Sequence, residues 1–410
     1  MRKSLITAVV LFSAVTVVAQ SNSDKILFSW YGFVNNQFCS DSRLSLQGAA
    51  DLFNILPFDQ KIDDAGNDIN NRSKVTMLAI TTRLGVRLAG PDIWNARSLA
   101  QIEADFTGFS GSTTMFFVRQ ANFKLDWSDK TLTVGQTWHP ILGDLFPEVI
   151  GISMGAPFNP FNRTPQIRYD QKFGTDGDII LSGAAMYQFQ YASIGPNGRS
   201  FEYQKYSMLP EVYIGLIYKN EGFMAGVGID WSRVAPRTTV TVGIVERKIT
   251  EYVSGFSGMA QASYKNRLLS VKAKALLGEN MSQFGIPTGY GATNINADGS
   301  FNYAPLRTLS AWAIGLYGAK LKGGLFAGYM KNLGAGETLL PTGLNVFGGG
   351  NIDRVCRLSP QLVYSESNIS IGAEFEITAV AYGSIQSNGT VNNTHWVSNN
   401  RFLLSATYSF

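Results

Sequence analysis

The chain has 410 residues, with 34 basic against 30 acidic, a formal charge of +4, 12% aromatic and 16% charged residues. Without Arg2 and Lys3 the balance is 32 against 30, about +2, so net charge points to no nucleic-acid or acidic partner. Beyond the first twenty residues no run of roughly 20 apolar residues occurs, which excludes a helical membrane protein.

The first element is an export signal. Met1-Arg2-Lys3 is a basic start, Leu5 to Val18 is a mostly apolar run, and Val17-Val18-Ala19 is a small-residue cleavage pattern. Removal of residues 1–19 leaves Gln20 as the new N-terminus and 20–410 as a single domain. An anchor helix is the alternative, but the run is short for a span. The first cysteine is Cys39, far from the cut, so a lipid-anchored lipoprotein is not expected.

Segments of alternating polarity then recur. Sixteen are predicted, near 27–39, 75–90, 96–108, 114–127, 130–138, 166–173, 178–191, 208–219, 222–234, 251–265, 268–279, 306–320, 322–332, 353–366, 368–382 and 400–410; eighteen is the alternative count. Their connections alternate. Long ones cover 40–74, 139–165, 192–207, 235–250, 280–305, 333–352 and 383–399, with a compact one near 109–113. Short ones include Gly90-Pro91-Asp92, Ser128-Asp129, Asn220-Glu221, Asn266-Arg267 and Ser367-Asn368. Long loops at one rim and tight turns at the other define an all-β, transmembrane, antiparallel up-and-down β-barrel in a bacterial outer membrane, in contact with its lipid and lipopolysaccharide. The last strand fits: Phe402, Leu404, Ala406, Tyr408 and Phe410 share one face and Arg401, Ser405, Thr407 and Ser409 the other, with Leu403 the exception. Ending on an aromatic residue in such a strand resembles the insertion signal of these barrels.

Faces can be assigned strand by strand. In 75–90, Leu78, Ile80, Leu84, Val86 and Leu88 are assigned to lipid and Arg83 and Arg87 to the interior, because arginine on the lipid face costs roughly 2–4 kcal/mol at the midplane. In 96–108, Ala100, Ile102, Ala104 and Phe106 oppose Gln101, Glu103 and Asp105. Lys272 and Lys274 face inward in 268–279, as do Glu374 and Glu376 in 368–382. A lumen carrying both signs of charge implies water, since buried unpaired charge is costly. Arg119 breaks the pattern, sharing parity with Ala121, Phe123 and Leu125; a bulge or a place near the rim would explain it. Cys39 and Cys356 are too few for a disulfide framework, and no bridge is expected.

The segment Trp138 to Pro165 is long and unusually apolar for a water-exposed loop, and loops of that length are commonly functional. It is expected to fold into the barrel, placing Asp144 and Glu148 at a constriction opposite Arg83, Arg87 and Arg168. Opposed charges across a narrow gap would select solutes by charge. The alternative is mutual pairing that merely stiffens the wall, with Glu103 and Asp105 one strand from the arginines.

Gly135-Gln136-Thr137-Trp138, Asp144-Leu145-Phe146-Pro147-Glu148 and Arg163-Thr164-Pro165-Gln166-Ile167-Arg168-Tyr169-Asp170 resemble the DcaP-like family of trimeric outer-membrane porins, chiefly over 75–175. The resemblance implies a homotrimer of barrels with about sixteen strands, uptake of small hydrophilic solutes with some preference for anions such as dicarboxylates, and Arg83, Arg119 and Arg168 on the basic side of the channel. The acidic first loop (Asp59, Asp63, Asp64, Asp68) departs from that preference.

The expected function is therefore a water-filled porin without cofactor, metal or catalytic residues. Other readings are a plugged or structural surface barrel, or a transporter of hydrophobic compounds. Catalysis has little to work with: His139 and His395 are the only histidines, and their spacing to Asp144 and Ser153 defines no triad.

Overall fold

The computed structural model describes residues 26–48, 50–110, 113–143, 145–174, 176–341 and 347–410; the expected export signal and Asp144 lie outside them. Sixteen antiparallel strands form a closed barrel. They are β1 Leu27–Asp41, β2 Lys74–Ala89 (in two pieces, Lys74–Leu78 and Arg83–Ala89), β3 Arg97–Ser110, β4 Thr113–Asp126, β5 Lys130–Trp138, β6 Arg163–Phe173, β7 Ile179–Met186 and β8 Glu211–Asn220. The others are β9 Phe223–Val234, β10 Val253–Lys265, β11 Leu269–Glu279, β12 Arg307–Gly318, β13 Leu321–Gly334, β14 Ile352–Glu366, β15 Ile369–Ile385 and β16 Val391–Ser409. Each strand pairs with its chain neighbours, and β1 closes the ring by pairing with both β2 and β16. The last residue completes the seam: Phe410 and Gly32 exchange backbone hydrogen bonds of 3.0 and 3.1 Å. Closure leaves the barrel without an edge strand.

The outer face is apolar. Ile102, Phe106, Ile167, Ile214, Ile229, Phe256, Leu277, Ile371 and Phe402 are all exposed on it. Residues of the opposite parity point inward and are buried, as with Glu103, Asp230, Ser257, Lys274, Glu374 and Arg401. This period-two alternation is the one expected where hydrocarbon lies outside and polar groups inside. Cys39 and Cys356 are both free thiols.

Three local features depart from the sequence reading. First, β2 is interrupted at residues 79–82, where the Thr82 amide donates to Ala79 O. Parity changes across the break. Val75 and Met77 lie outside, whereas Leu78 and Ile80, expected to face lipid, pack inward against Cys39, Leu52 and Leu403. Second, Glu103 pairs with Gln120 but Ala104 with Val118, so Arg119 is the extra residue of a β-bulge. The bulge turns Arg119 inward beside Gln120. Third, residues 383–399, expected as a loop, are mostly strand: β15 and β16 extend past their neighbours and meet at a tight turn near Asn388-Gly389.

Two long connections fold into the lumen. The first, between β1 and β2, carries a hairpin of Ser45–Gly48 and Phe53–Pro57. Its Leu52 and Leu56 are buried, and Tyr382 donates to Pro57 O at 2.7 Å. The second is the third loop at that rim, residues 139–162, between β5 and β6. Phe53 of the first meets Phe161 of the second edge to face at 5.2 Å.

Candidate functional site

The third loop crosses the lumen and is held by the far wall through its backbone, as an in-folded chain must be if its amides and carbonyls are to stay satisfied. Lys274 on β11 donates to Leu142 O and Leu145 O, and Lys272 donates to Phe146 O at 3.1 Å. Gln361 on β14 donates to Glu148 O at 2.7 Å. Glu374 on β15 accepts from the amides of Ile150 and Gly151 at 2.8 and 2.9 Å. Arg357 donates to Ala156 O at 2.9 Å, and Ser310 to Phe158 O at 3.0 Å. Phe158 lies flat against the wall at Gly328, where a Cβ would stand 2.4 Å from its ring, so only glycine fits there.

The loop and the wall it lies on enclose an apolar core. Ile141, Leu142, Leu145 and Phe158 pack with Tyr213, Met259, Leu276, Trp312, Phe326 and Val355 from β8 to β14. Apolar side chains pack this half of the lumen, where the alternation suggested open charge and water, and its inward charges Lys272, Lys274 and Arg357 bond the loop backbone.

The open space lies on the other side. A cavity of about 810 Å³ is lined by Gln190 and Arg199 in a long loop, by Arg83, Arg119 and Arg163 at mid-height, and by Ser365, Ser370 and Thr407 beside the short turns. Its lining thus runs from one rim to the other. Across from the arginines stand Glu148 to Ile152 of the third loop. A second cavity, about 440 Å³, opens among Lys124, Arg168, Asp170 and Lys172 near the short turns, and Arg83 borders both.

The arginines are held in three ways. Arg119 is buried between two carboxylates, at 2.9 Å from Glu103 and 2.7 Å from Asp105. Arg83 stands 3.7 Å from Glu103 and above the Phe33 ring. Arg163 sits among Trp138, Phe161, Tyr191 and Phe117, donates to the Tyr191 hydroxyl at 2.6 Å, and has Nε and Nη1 without a hydrogen-bond partner among the described residues. Aromatic faces attract a guanidinium without neutralising it.

The expected residues are distributed as follows. Arg83, Asp105, Arg119, Arg163 and Glu148 share the large cavity, and Glu103 joins the second. Arg87 stacks over Tyr31 at 4.2 Å and borders neither. Arg168 pairs with Asp170 at 2.7 Å in the second cavity instead of facing Glu148. Among the described residues Glu148 pairs with Lys272, at 2.7 Å, and with no arginine. Burial opposes its ionisation, but Lys272 and Ser270 outweigh that and hold the carboxyl below its ordinary range.

The acidic first loop is largely self-satisfied. Asp68 pairs with Arg43 at 2.8 Å, Asp59 with His395 at 2.6 Å, and Asp63 caps a turn through Ala65 and Asn67. Sequence reasoning missed Arg357 and Arg401, both buried anchors. Arg401 bonds Asp41 through two contacts of 2.8 Å and also donates to Leu52 O and Asp51 O. Their inward parity was readable; their partners, 201 and 303 residues away at Ala156 and Asn54 for Arg357 and 360 away at Asp41 for Arg401, were not.

No family model matches the chain, and no curated protein matches it. Solved structures do. The outer membrane channel DcaP of Acinetobacter baumannii superposes with a TM-score of 0.67 at 16% identity, over 96% of this chain and 99% of that one. OmpT, an outer membrane protein of Vibrio cholerae, gives 0.56 at 12% identity, over 96% and 100%. The anion-selective porin of Comamonas acidovorans gives 0.56 at 10% identity, over 94% and 100%. The sixteen-stranded fold of this chain superposes on that of these outer-membrane proteins, in agreement with the likeness to DcaP carried by residues 75–175.

Proposed function

We propose that the protein is a porin of the bacterial outer membrane, reached by export, through which small hydrophilic solutes diffuse passively. One observation carries this: the cavity whose lining runs rim to rim past Arg83, Arg119 and Arg163 inside a barrel clad in apolar side chains. Hydrocarbon outside and a polar passage inside leave water-soluble solutes one route across.

Within that reading the channel prefers anions, including dicarboxylates. The large cavity has four guanidiniums, of Arg83, Arg119, Arg163 and Arg199, against the carboxylates of Asp105 and Glu148. Asp105 is taken up by Arg119 and Glu148 by Lys272, so the field left over the passage is positive. A homotrimer is supported by the trimeric form recorded for OmpT of Vibrio cholerae. The role is transport rather than catalysis.

The filled half of the lumen favours a second reading, a barrel plugged by its own loops. Swelling of proteoliposomes in isosmotic solutes of graded size and charge separates the two. Swelling that falls with solute size and is faster for dianions than for dications supports the porin. Liposomes that stay unswollen in every solute support the plug.

A further inference from the structure

Where the third loop leaves β5, His139 is buried against two carboxylates. Its Nε2 lies 3.0 Å from Glu211 Oε1, on β8, and 3.9 Å from Asp230 Oδ1, on β9. One nitrogen and one oxygen from each carboxylate all fall within 4.8 Å of one another. Ligand atoms about 2.1 Å from a zinc-like ion stand roughly 3–3.5 Å apart, so small side-chain movements would close the set. The three side chains are 0–2% exposed.

The polar atoms here are incompletely used. Among the described residues, Glu211 Oε2 and Asp230 Oδ1 have no hydrogen-bond partner, and neither has Gln283 Oε1. Gln283 donates from Nε2 to Glu211 Oε1 at 2.7 Å, and turning its amide over would bring Oε1 to that position. The Phe284 ring, 4.9 Å from that of His139, shuts the two buried acid groups in beside the imidazole.

We propose that His139, Glu211 and Asp230, with Gln283 as fourth ligand, bind a divalent transition-metal cation of the zinc class. A dication balances both carboxylates, and an imidazole ligand favours such ions over calcium or magnesium. His139 borders the 440 Å³ cavity, which gives an ion a path inward. To bind, Nε2 must be free of its proton. That proton moves to Nδ1 and releases the long 3.2 Å contact now accepted from the Ile141 amide. The ion would then tie the root of the third loop to β8 and β9, leaving the polar passage untouched.

The test uses the full barrel in detergent, stripped with chelator and titrated with cobalt(II), whose visible absorption reports nitrogen and oxygen ligands. One cobalt per chain is expected, lost in H139Q and weakened at least tenfold in D230N, with H395Q, at the only other histidine, unchanged. Should H139Q fail to fold, zinc raising the unfolding temperature of the wild-type barrel while magnesium does not would support the site. Absence of both cobalt binding and zinc stabilisation in folded wild type overturns it, as does cobalt binding that survives H139Q and disappears in H395Q.

Discussion

The lumen has two halves built on different physics. From β2 to β6 the wall presents Arg83, Glu103, Asp105, Arg119 and Arg163, and open space lies before it. From β8 to β14 it presents Tyr213, Met259, Leu276, Trp312 and Phe326, and the third loop is packed on it. The same strand geometry serves both. What differs is whether inward side chains gain more from each other or from water. Charged groups favour contact with water; apolar groups exclude it and hold the third loop. Lys272, Lys274 and Glu374 hold the loop across the lumen through its backbone.

The largest effect that would sharpen this contrast comes from a buried ion pair. Asp41→Ala strands the Arg401 guanidinium, which is 1% exposed, and should lower stability by about 3–5 kcal/mol in denaturant unfolding followed by tryptophan fluorescence. On the apolar side Leu276→Ala should cost about 2–5 kcal/mol and leave ion selectivity as in wild type. A selectivity change there would mean that solutes pass through the half taken to be filled. A smaller effect is expected at Glu148. Its carboxyl titrates below the ordinary range, so the tether to Lys272 is present above that range and is lost only as pH falls through the lowered value. Channel current should stay quiet through the ordinary carboxylate range and turn noisy only as pH falls below it. Glu148→Gln should be noisy at neutral pH as well, and a quiet E148Q channel would remove the tether from the account.

Much of the barrel was readable because lipid and water impose period two. All sixteen strands stand near their predicted places, and Arg83, Glu103 and Asp105 point inward as parity required. The misreadings share one cause. Parity assumes a polar lumen and an unbroken strand. Leu78 and Ile80 violate both assumptions, since β2 ends its first piece at Leu78, Ile80 lies in the break, and the interior they meet is apolar. In β8, Tyr213 and Ile217 face inward while Val212, Ile214 and Leu216 face outward, so both faces read alike. In residues 391–399 the apolar Val391, Trp396 and Val397 are few and split between the two faces of a hairpin that extends past its neighbours, and a strand without one greasy side looks like a loop. Arg119 left a trace, two long polar residues in succession with Gln120, which is how a bulge appears in a sequence.

The central claim is that solutes pass along the arginine-lined half. Reversal potentials in a planar bilayer under a potassium chloride gradient test it most directly, comparing wild type with Arg83→Gln/Arg163→Gln. The account predicts a wild-type channel that favours chloride and a variant whose reversal potential moves toward that of potassium, with the barrel still folded. A conducting wild-type channel that favours potassium, or a variant with an unchanged reversal potential, would contradict it.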